Sequence, residues 1–265
     1  MTYIPKIHEL GPDLLAVTSR QRWLTIAYPF LWCAAYFAFA AADWWPGAAA
    51  SLVCLSFVTY GSTSHDLVHR NLGLSKRIND WLLCAIELLA LRGGHAYQAA
   101  HLHHHARYPN RDDVEATAAR KSFLGALVEG FTFQPRIWLW AWRNAVGKRH
   151  WIVGEGIACV ALLGAAAATC SLSAILPVYV GLMIAGSWVI PLVTSYLPHD
   201  PGGDGELFQT RVFRGSVASL LAVEHLYHLE HHLFPAVPHI HWPELARRLD
   251  PHFAKAGVEP IVFWF

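Results

Sequence analysis

The chain has 265 residues, 54% of them hydrophobic and only 15% charged, against roughly 25% charged in an ordinary soluble domain. That balance excludes a disordered chain and argues against a soluble enzyme. Lys and Arg number 20 against 19 Asp and Glu, a net charge of +1, so no global field would draw in nucleic acid or another polyanion.

Taken in chain order, residues 23–42 form an uncharged run of 20, the length that crosses a hydrocarbon core of about 30 Å. Asp43 and the Trp44-Trp45-Pro46-Gly47 corner turn the chain, and residues 44–63 give a second uncharged stretch. Residues 81–91 are apolar apart from Glu87 but too short to span, which predicts a re-entrant or interfacial helix. Residues 131–142 are rich in Trp, with Arg136, Arg143, Lys148 and Arg149 in or beside them, the pattern of a helix lying among headgroups. From 156 to 199 there are 44 residues without Asp, Glu, Lys or Arg. Ser171, Ser173 and Pro177 divide that run into spans at 153–171 and 177–197.

The expected fold is therefore an all-α integral membrane protein, one domain over residues 1–265, with four transmembrane helices in two hairpins. All Lys and Arg fall in the N-terminal tail, in residues 64–151 or after 199, and neither connector within a hairpin carries any. By the positive-inside rule both termini and the long middle segment are cytoplasmic and form a cap of interfacial helices there. The five cysteines lie in apolar stretches without paired spacing, which reads as buried thiols rather than disulfides or zinc ligands.

Histidine is the informative residue, at 17. Three clusters stand out: His65-Asp66-Leu67-Val68-His69, His101-Leu102-His103-His104-His105 and His228-Leu229-Glu230-His231-His232. From composition alone the pattern H-x-x-H-H is expected about 0.07 times in this length, and it occurs twice. Positions i, i+3 and i+4 share one helical face, so His101, His104 and His105 converge, as do His228, His231 and His232, while His65 and His69 form an i, i+4 pair. His103 lies about 200° round from His101 at about 100° per residue and is left out of the set.

His65 follows the second span and His199 the fourth, so all of these rings are expected at one membrane surface. Neutral imidazole suits zinc, copper, iron and nickel, and eight or nine donors exceed the four of one zinc site; two metals are needed to use them. H-E-x-x-H and the Glu-x-x-His of di-iron carboxylate bundles are both absent. Non-heme iron with positions open to dioxygen fits the donor set best, acting on C–H bonds of an apolar molecule in the bilayer.

The H-D-x-x-H, H-x-x-H-H and H-x-x-H-H boxes, in that order and separated by membrane hairpins, resemble the membrane fatty acid desaturase superfamily over about residues 50–255. The Tyr196-Leu197-Pro198-His199 segment and the run from Tyr227 through Leu233-Phe234-Pro235 to Pro238 are most similar to its carotenoid ring hydroxylases and ketolases. The segment 106–116 departs from the Asn-Asp-Pro-type sequence of that branch. The resemblance implies a di-iron centre, dioxygen as co-substrate, and two electrons from a separate donor such as ferredoxin or cytochrome b5. It implies as ligands His65, His69, His101, His104, His105, His228, His231 and His232, with His199 as the histidine after the last span. The implied reaction is hydroxylation or ketone formation on a carotenoid ring, with fatty acyl desaturation as the alternative. A membrane metal-binding or transport protein is the rival from another class.

Asp66 and Glu230 lie within boxes and are candidates to orient a ligand ring through its other nitrogen; His225 is a candidate neighbour of His228. His95, His239, His241 and His252 read as interfacial or surface residues. The Trp excess reads as a membrane-interface belt.

Overall fold

The computed structural model describes residues 3–215 and 227–262. The described chain is mostly helical. After a one-turn helix α1 (Ile7–Leu10), α2 (Ser19–Ala41) opens with Thr18, whose hydroxyl accepts from the Gln21 amide while Gln21 Oε1 accepts from the Thr18 amide. Two of the helix's orphan donors are thus satisfied. Asp43 at φ 56° makes the turn, and Pro46 sits in the first turn of α3 (Trp45–Val58), where its missing N–H costs nothing.

α3 does not stop at Val58 but widens into a π turn, Thr59–Thr63, and re-forms as α4 (Ser64–His69), which ends at Arg70 in the left-handed conformation. α5 (Lys76–Leu89) and α6 (Gly94–Arg107) follow, then α7 (Phe123–Asn144), α8 (Arg149–Thr169) and α9 (Ile175–Ser187). A second π turn, Leu192–Tyr196, lies just before His199. The remainder comprises α10 (His228–Leu233), α11 (Trp242–Ala256) and a two-stranded parallel pairing of Phe213–Arg214 with Ile261–Val262. No strand was expected from the sequence pattern; two residues per strand are too few to show a period.

Among the described residues, three stretches are long and apolar enough to cross a membrane: Ser19–Ala41, Val146–Thr169 and Ile175–Tyr196. They coincide with three of the four expected spans. The fourth, expected at 44–63, differs: its regular α-helix is 14 residues long, about 21 Å at 1.5 Å per residue, before the π turn takes over. The short apolar segment at 81–91 falls mostly in α5. The Trp-rich segment belongs to a longer helix, α7, whose buried residues Ala126, Glu129, Gly130, Phe133, Ile137 and Ala141 recur at three- and four-residue intervals, one face of a helix. At Gly130 a Cβ would stand 1.9 Å from the carbonyl oxygen of Trp188, so only glycine permits that crossing.

α8 begins at Arg149, four residues before the expected span, and Glu155, the one acidic residue within that span, is buried. His95 donates to it from Nδ1 (2.6 Å) and from its backbone amide (3.0 Å), and its ring stacks on Trp151. His95 is therefore a buried interhelical tie rather than a surface residue. The cysteines are free thiols, four of them half-buried and Cys170 exposed beyond the end of α8.

Leu52 and Leu55 of α3 share a core with Tyr36 of α2 and Val180 and Met183 of α9. A separate core joins Leu10 and Leu14 to Leu229, Trp242, Leu245, Leu249 and Phe253. The N-terminal segment thus packs with the segment that carries the third histidine box.

Candidate metal centre

Four segments deliver histidines to one place. α4 supplies His65 and His69, one turn apart; α6 supplies His101, His104 and His105; His199 follows the second π turn; α10 supplies His228, His231 and His232. They fall into two groups. In one, ring nitrogens of His65, His69, His101, His105 and His231 all lie within 4.8 Å of one another; in the other, those of His104, His199, His228 and His232 do so. All nine histidines singled out by sequence are in these groups, and His103 is in neither; its Nε2 meets the Asp112 carbonyl at 3.3 Å.

The contacts within each group are nitrogen to nitrogen. In the larger group His105 Nε2 is 3.1 Å from His101 Nε2 and 2.7 Å from His231 Nε2. In the smaller, His232 Nε2 lies 3.2 Å from His104 Nε2, 3.3 Å from His199 Nε2 and 3.1 Å from His228 Nε2, and His228 is 3.1 Å from His199.

Three of these rings have their proton assigned by the partner at the back. His101 Nδ1 donates to Glu115 Oε2 (3.0 Å), His104 Nδ1 to Asp113 Oδ2 (2.6 Å) and His199 Nδ1 to the Ser195 carbonyl (2.9 Å). Carboxylates and carbonyls only accept, so in the neutral ring each Nε2 presents a lone pair inward. In addition, His69 Nε2 is buried without a hydrogen-bond partner. Two ring nitrogens at about 3 Å are bridged either by a proton, as N–H···N, or by a metal ion that takes both lone pairs. Two nitrogens bound at about 2.1 Å to one ion lie about 3.0–3.4 Å apart for angles between square and tetrahedral, the range seen in the smaller group.

Electrostatics agree. Burial holds the His105, His199, His231 and His232 imidazoles well below their ordinary range, and burial takes His69 down to about 2. That direction favours the neutral ring, the form metal ligation requires. Burial also acts against protonation of His104, but Asp113 outweighs it and raises that ring. Burial tends to raise Asp113 and Glu115, yet their histidine partners keep both lowered and ionised. Two buried anions and nine converging imidazoles make a cradle for positive charge.

Asp113 and Glu115 were missed by sequence reading; they lie in the segment 106–116. Asp113 Oδ1 also accepts from the Glu115 and Ala116 amides (2.9 and 3.2 Å), which fixes the loop. The carboxylates proposed from sequence face elsewhere. Asp66 accepts from the His239 amide (3.0 Å) and His239 Nδ1 (2.6 Å), and Glu230 accepts from Arg214 (2.6 Å). They tie the boxes to neighbouring segments and orient no ring of either group. His239, expected at the surface, is the partner of Asp66. His225 lies outside the described residues.

Trp242, 1% exposed, closes the larger group, its ring 5.2 Å from those of His65 and His231. Tyr108 flanks the smaller, 4.5 Å from His199. Between the groups and the helices is a cavity of ≈ 20 Å³ lined by His65, His101, His104, His228, His231, Tyr60, Thr194 and Trp242, room for about one water-sized molecule.

Membrane-length helices and two histidine groups whose ring nitrogens could hold a metal ion describe a membrane-embedded protein. Residues 42–264 match the family model described as fatty acid desaturase. The chain belongs to the fatty acid desaturase family, and that membership makes it an oxidoreductase. A search of curated proteins finds no match.

Proposed function

We propose that each histidine group holds one iron, with His65, His69, His101, His105 and His231 around the first and His104, His199, His228 and His232 around the second. The observation that carries this is the inward convergence of Nε2 atoms whose rings are fixed from behind by Asp113, Glu115 and the Ser195 carbonyl. A pair of irons supplies dioxygen activation, the chemistry that no side chain performs. The protein's part is to hold neutral rings in place, to keep two anions behind them and to exclude water with Trp242 and Tyr108.

The reaction proposed is oxidation of a C–H bond in a bilayer-dissolved lipid. One oxygen atom enters the product as hydroxyl and the other leaves as water, with two electrons and two protons from outside. The electrons come from a separate carrier of ferredoxin or cytochrome b5 type. Carotenoid ring hydroxylation or ketone formation is the preferred substrate reading, supported by the Leu197-Pro198-His199 segment. Acyl desaturation is the second reading, favoured by the family description; there both oxygen atoms leave as water and a carbon–carbon double bond forms. In the membrane, the α3 stretch with its π turn serves as a fourth span, and the Lys- and Arg-bearing segments face the cytoplasm.

The test is metal and oxygen stoichiometry. Purified protein should carry two irons per chain and consume oxygen only with added reductant and substrate. Exchangeable zinc without oxygen uptake would instead establish a metal binder or transporter. Expression in a carotene-accumulating bacterium then separates the substrates: a new polar carotenoid with unchanged fatty acids selects the first reading, altered unsaturation the second.

A further inference from the structure

Asp113 and Glu115 hold ligand rings from behind, but both sit on a loop, and a loop holds a ring only as well as it is itself held. Residues 113–120 are pinned from two directions, each time by a π turn. On one side the Tyr60 hydroxyl donates to Glu115 Oε1 (3.0 Å), while Glu115 Oε2 accepts from His101 Nδ1 (3.0 Å). On the other the Ala119 amide donates to Ser195 Oγ (3.1 Å), and the carbonyl of the same Ser195 accepts from His199 Nδ1 (2.9 Å). Tyr60, Glu115 and Ser195 are all buried.

The π turns explain how these two residues reach the loop. In the first, the Ser64 amide donates to the Thr59 carbonyl, five residues back. In an unbroken α-helix Tyr60 and His65 would stand about 140° apart, and the residue that the turn inserts takes out about 100° of that. Both side chains then line the same ≈ 20 Å³ cavity, so one helix presents a box histidine and a tyrosine hydroxyl together. Tyr60 is fixed in that pose: its ring stacks on Tyr97 at 4.7 Å, and the Arg92 guanidinium lies 5.0 Å from its centroid. Arg92 is itself held by Glu87 (2.8 Å) and donates to Thr59 Oγ1 (2.8 Å) of the same turn. In the second turn the Leu197 amide bonds the Leu192 carbonyl, and Ser195 within it turns its hydroxyl to the loop and its carbonyl to the ring.

We propose that Tyr60 and Ser195 are positioning residues of the metal centre, holding from two sides the segment that carries both carboxylate braces. The proposal rests on the reading of the histidine groups as metal sites and adds which residues outside them set the ligand geometry. The bonds that run from Tyr60 through Glu115 to His101 end in the group of five, and the loop's other carboxylate, Asp113, meets His104 in the group of four. One segment thus carries a brace for each metal, and its attachment matters to both. Packing alone does not call for the Tyr60 hydroxyl, since a phenylalanine ring would stack on Tyr97 as well. Without that hydroxyl a buried carboxylate oxygen loses a donor, Glu115 is free to turn about its side-chain bonds, and His101 loses its fixed direction.

The test is titration of metal-free protein with Co(II) against a chelator, following the ligand-field absorption of the bound ion. Tyr60→Phe keeps the ring and removes only the hydroxyl. It should weaken one of the two binding steps about tenfold, spare the other and shift the absorption, while the metal-free protein still melts cooperatively. Ser195→Ala keeps the carbonyl on His199 but frees Ala119, and should weaken both steps. In a Glu115→Leu background, Tyr60→Phe should cost nothing further, because its effect passes through that carboxylate. Unchanged affinity and absorption in Tyr60→Phe, or additive losses in the double variant, would overturn the role of Tyr60; unchanged affinity in Ser195→Ala would overturn that of Ser195. Should Tyr60→Phe lose its cooperative melt, Ser195→Ala, read in the same way, decides whether attachment of the loop sets metal affinity. Unaltered protein that binds no metal ion would sink the metal reading itself, an outcome seen before any variant is made.

Discussion

In the group of five histidines one ring, His101, is seen braced through Nδ1 by a carboxylate, Glu115; in the group of four, two are braced, His104 by Asp113 and His199 by the Ser195 carbonyl. The larger group takes every ring from a helix and is covered by Trp242. The smaller takes no ring from α4 and relies on His199, which sits beyond a π turn with Tyr108 beside it. Among the carboxylate and carbonyl braces described above, the group with fewer donors has more of them held from behind. Redundancy in one place and bracing in the other are two ways to keep a donor set convergent.

The substitution expected to hurt most is His232→Ala. That ring contacts all three others of its group, and three rings remain without it. Iron should fall from two toward one per chain, with turnover below detection; two irons and normal turnover would dissolve the grouping. Next come the braces. Asp113→Asn and Glu115→Gln should each weaken metal binding by about 10- to 100-fold, read by competition with a chelator, and the first should release metal from the group of four. His69→Ala tests redundancy: four rings remain, so iron should stay near two per chain although turnover falls.

The smallest effect is on folding and needs no turnover. In metal-free protein, burial holds His105, His199, His231 and His232 well below the ordinary imidazole range and His69 at about 2. As pH falls below about 6.5 the unfolded chain takes up protons that these folded rings refuse. Stability is whole above that pH and declines beneath it. His104, raised by Asp113, opposes the trend but is one ring against five. Chelator-treated protein should melt at a lower temperature near about pH 5.5 than near about pH 8, and restored iron should narrow the gap. Equal melting temperatures would contradict the neutral, buried state of the rings.

The histidine set was legible because helical spacing alone puts i, i+3 and i+4 on one face, and because uncharged runs of about 20 residues order the segments between boxes. The same geometry explains the carboxylate error. Asp66 is one residue past His65 and Glu230 two past His228, about 100° and 200° round the helix, so both point away from the rings and were claimed by His239 and Arg214. The true braces sit in a loop, where no period announces direction. Asp113 and Glu115 turn inward through a local turn in which Asp113 accepts two backbone amides. The π turns were equally hidden: Thr59–Thr63 and Leu192–Tyr196 have unremarkable composition, yet each stands just before a histidine that must face the centre, a setting in which such bulges recur.

Both groups draw on α10: His231 completes one, His228 and His232 the other. Those residues are translated after every membrane-length helix, so neither cradle can close until the third box has emerged from the ribosome and docked beside α6. Insertion of the irons proposed above would then be a late event in biogenesis, and a nascent chain arrested before residue 228 should be embedded in the bilayer yet incapable of retaining iron.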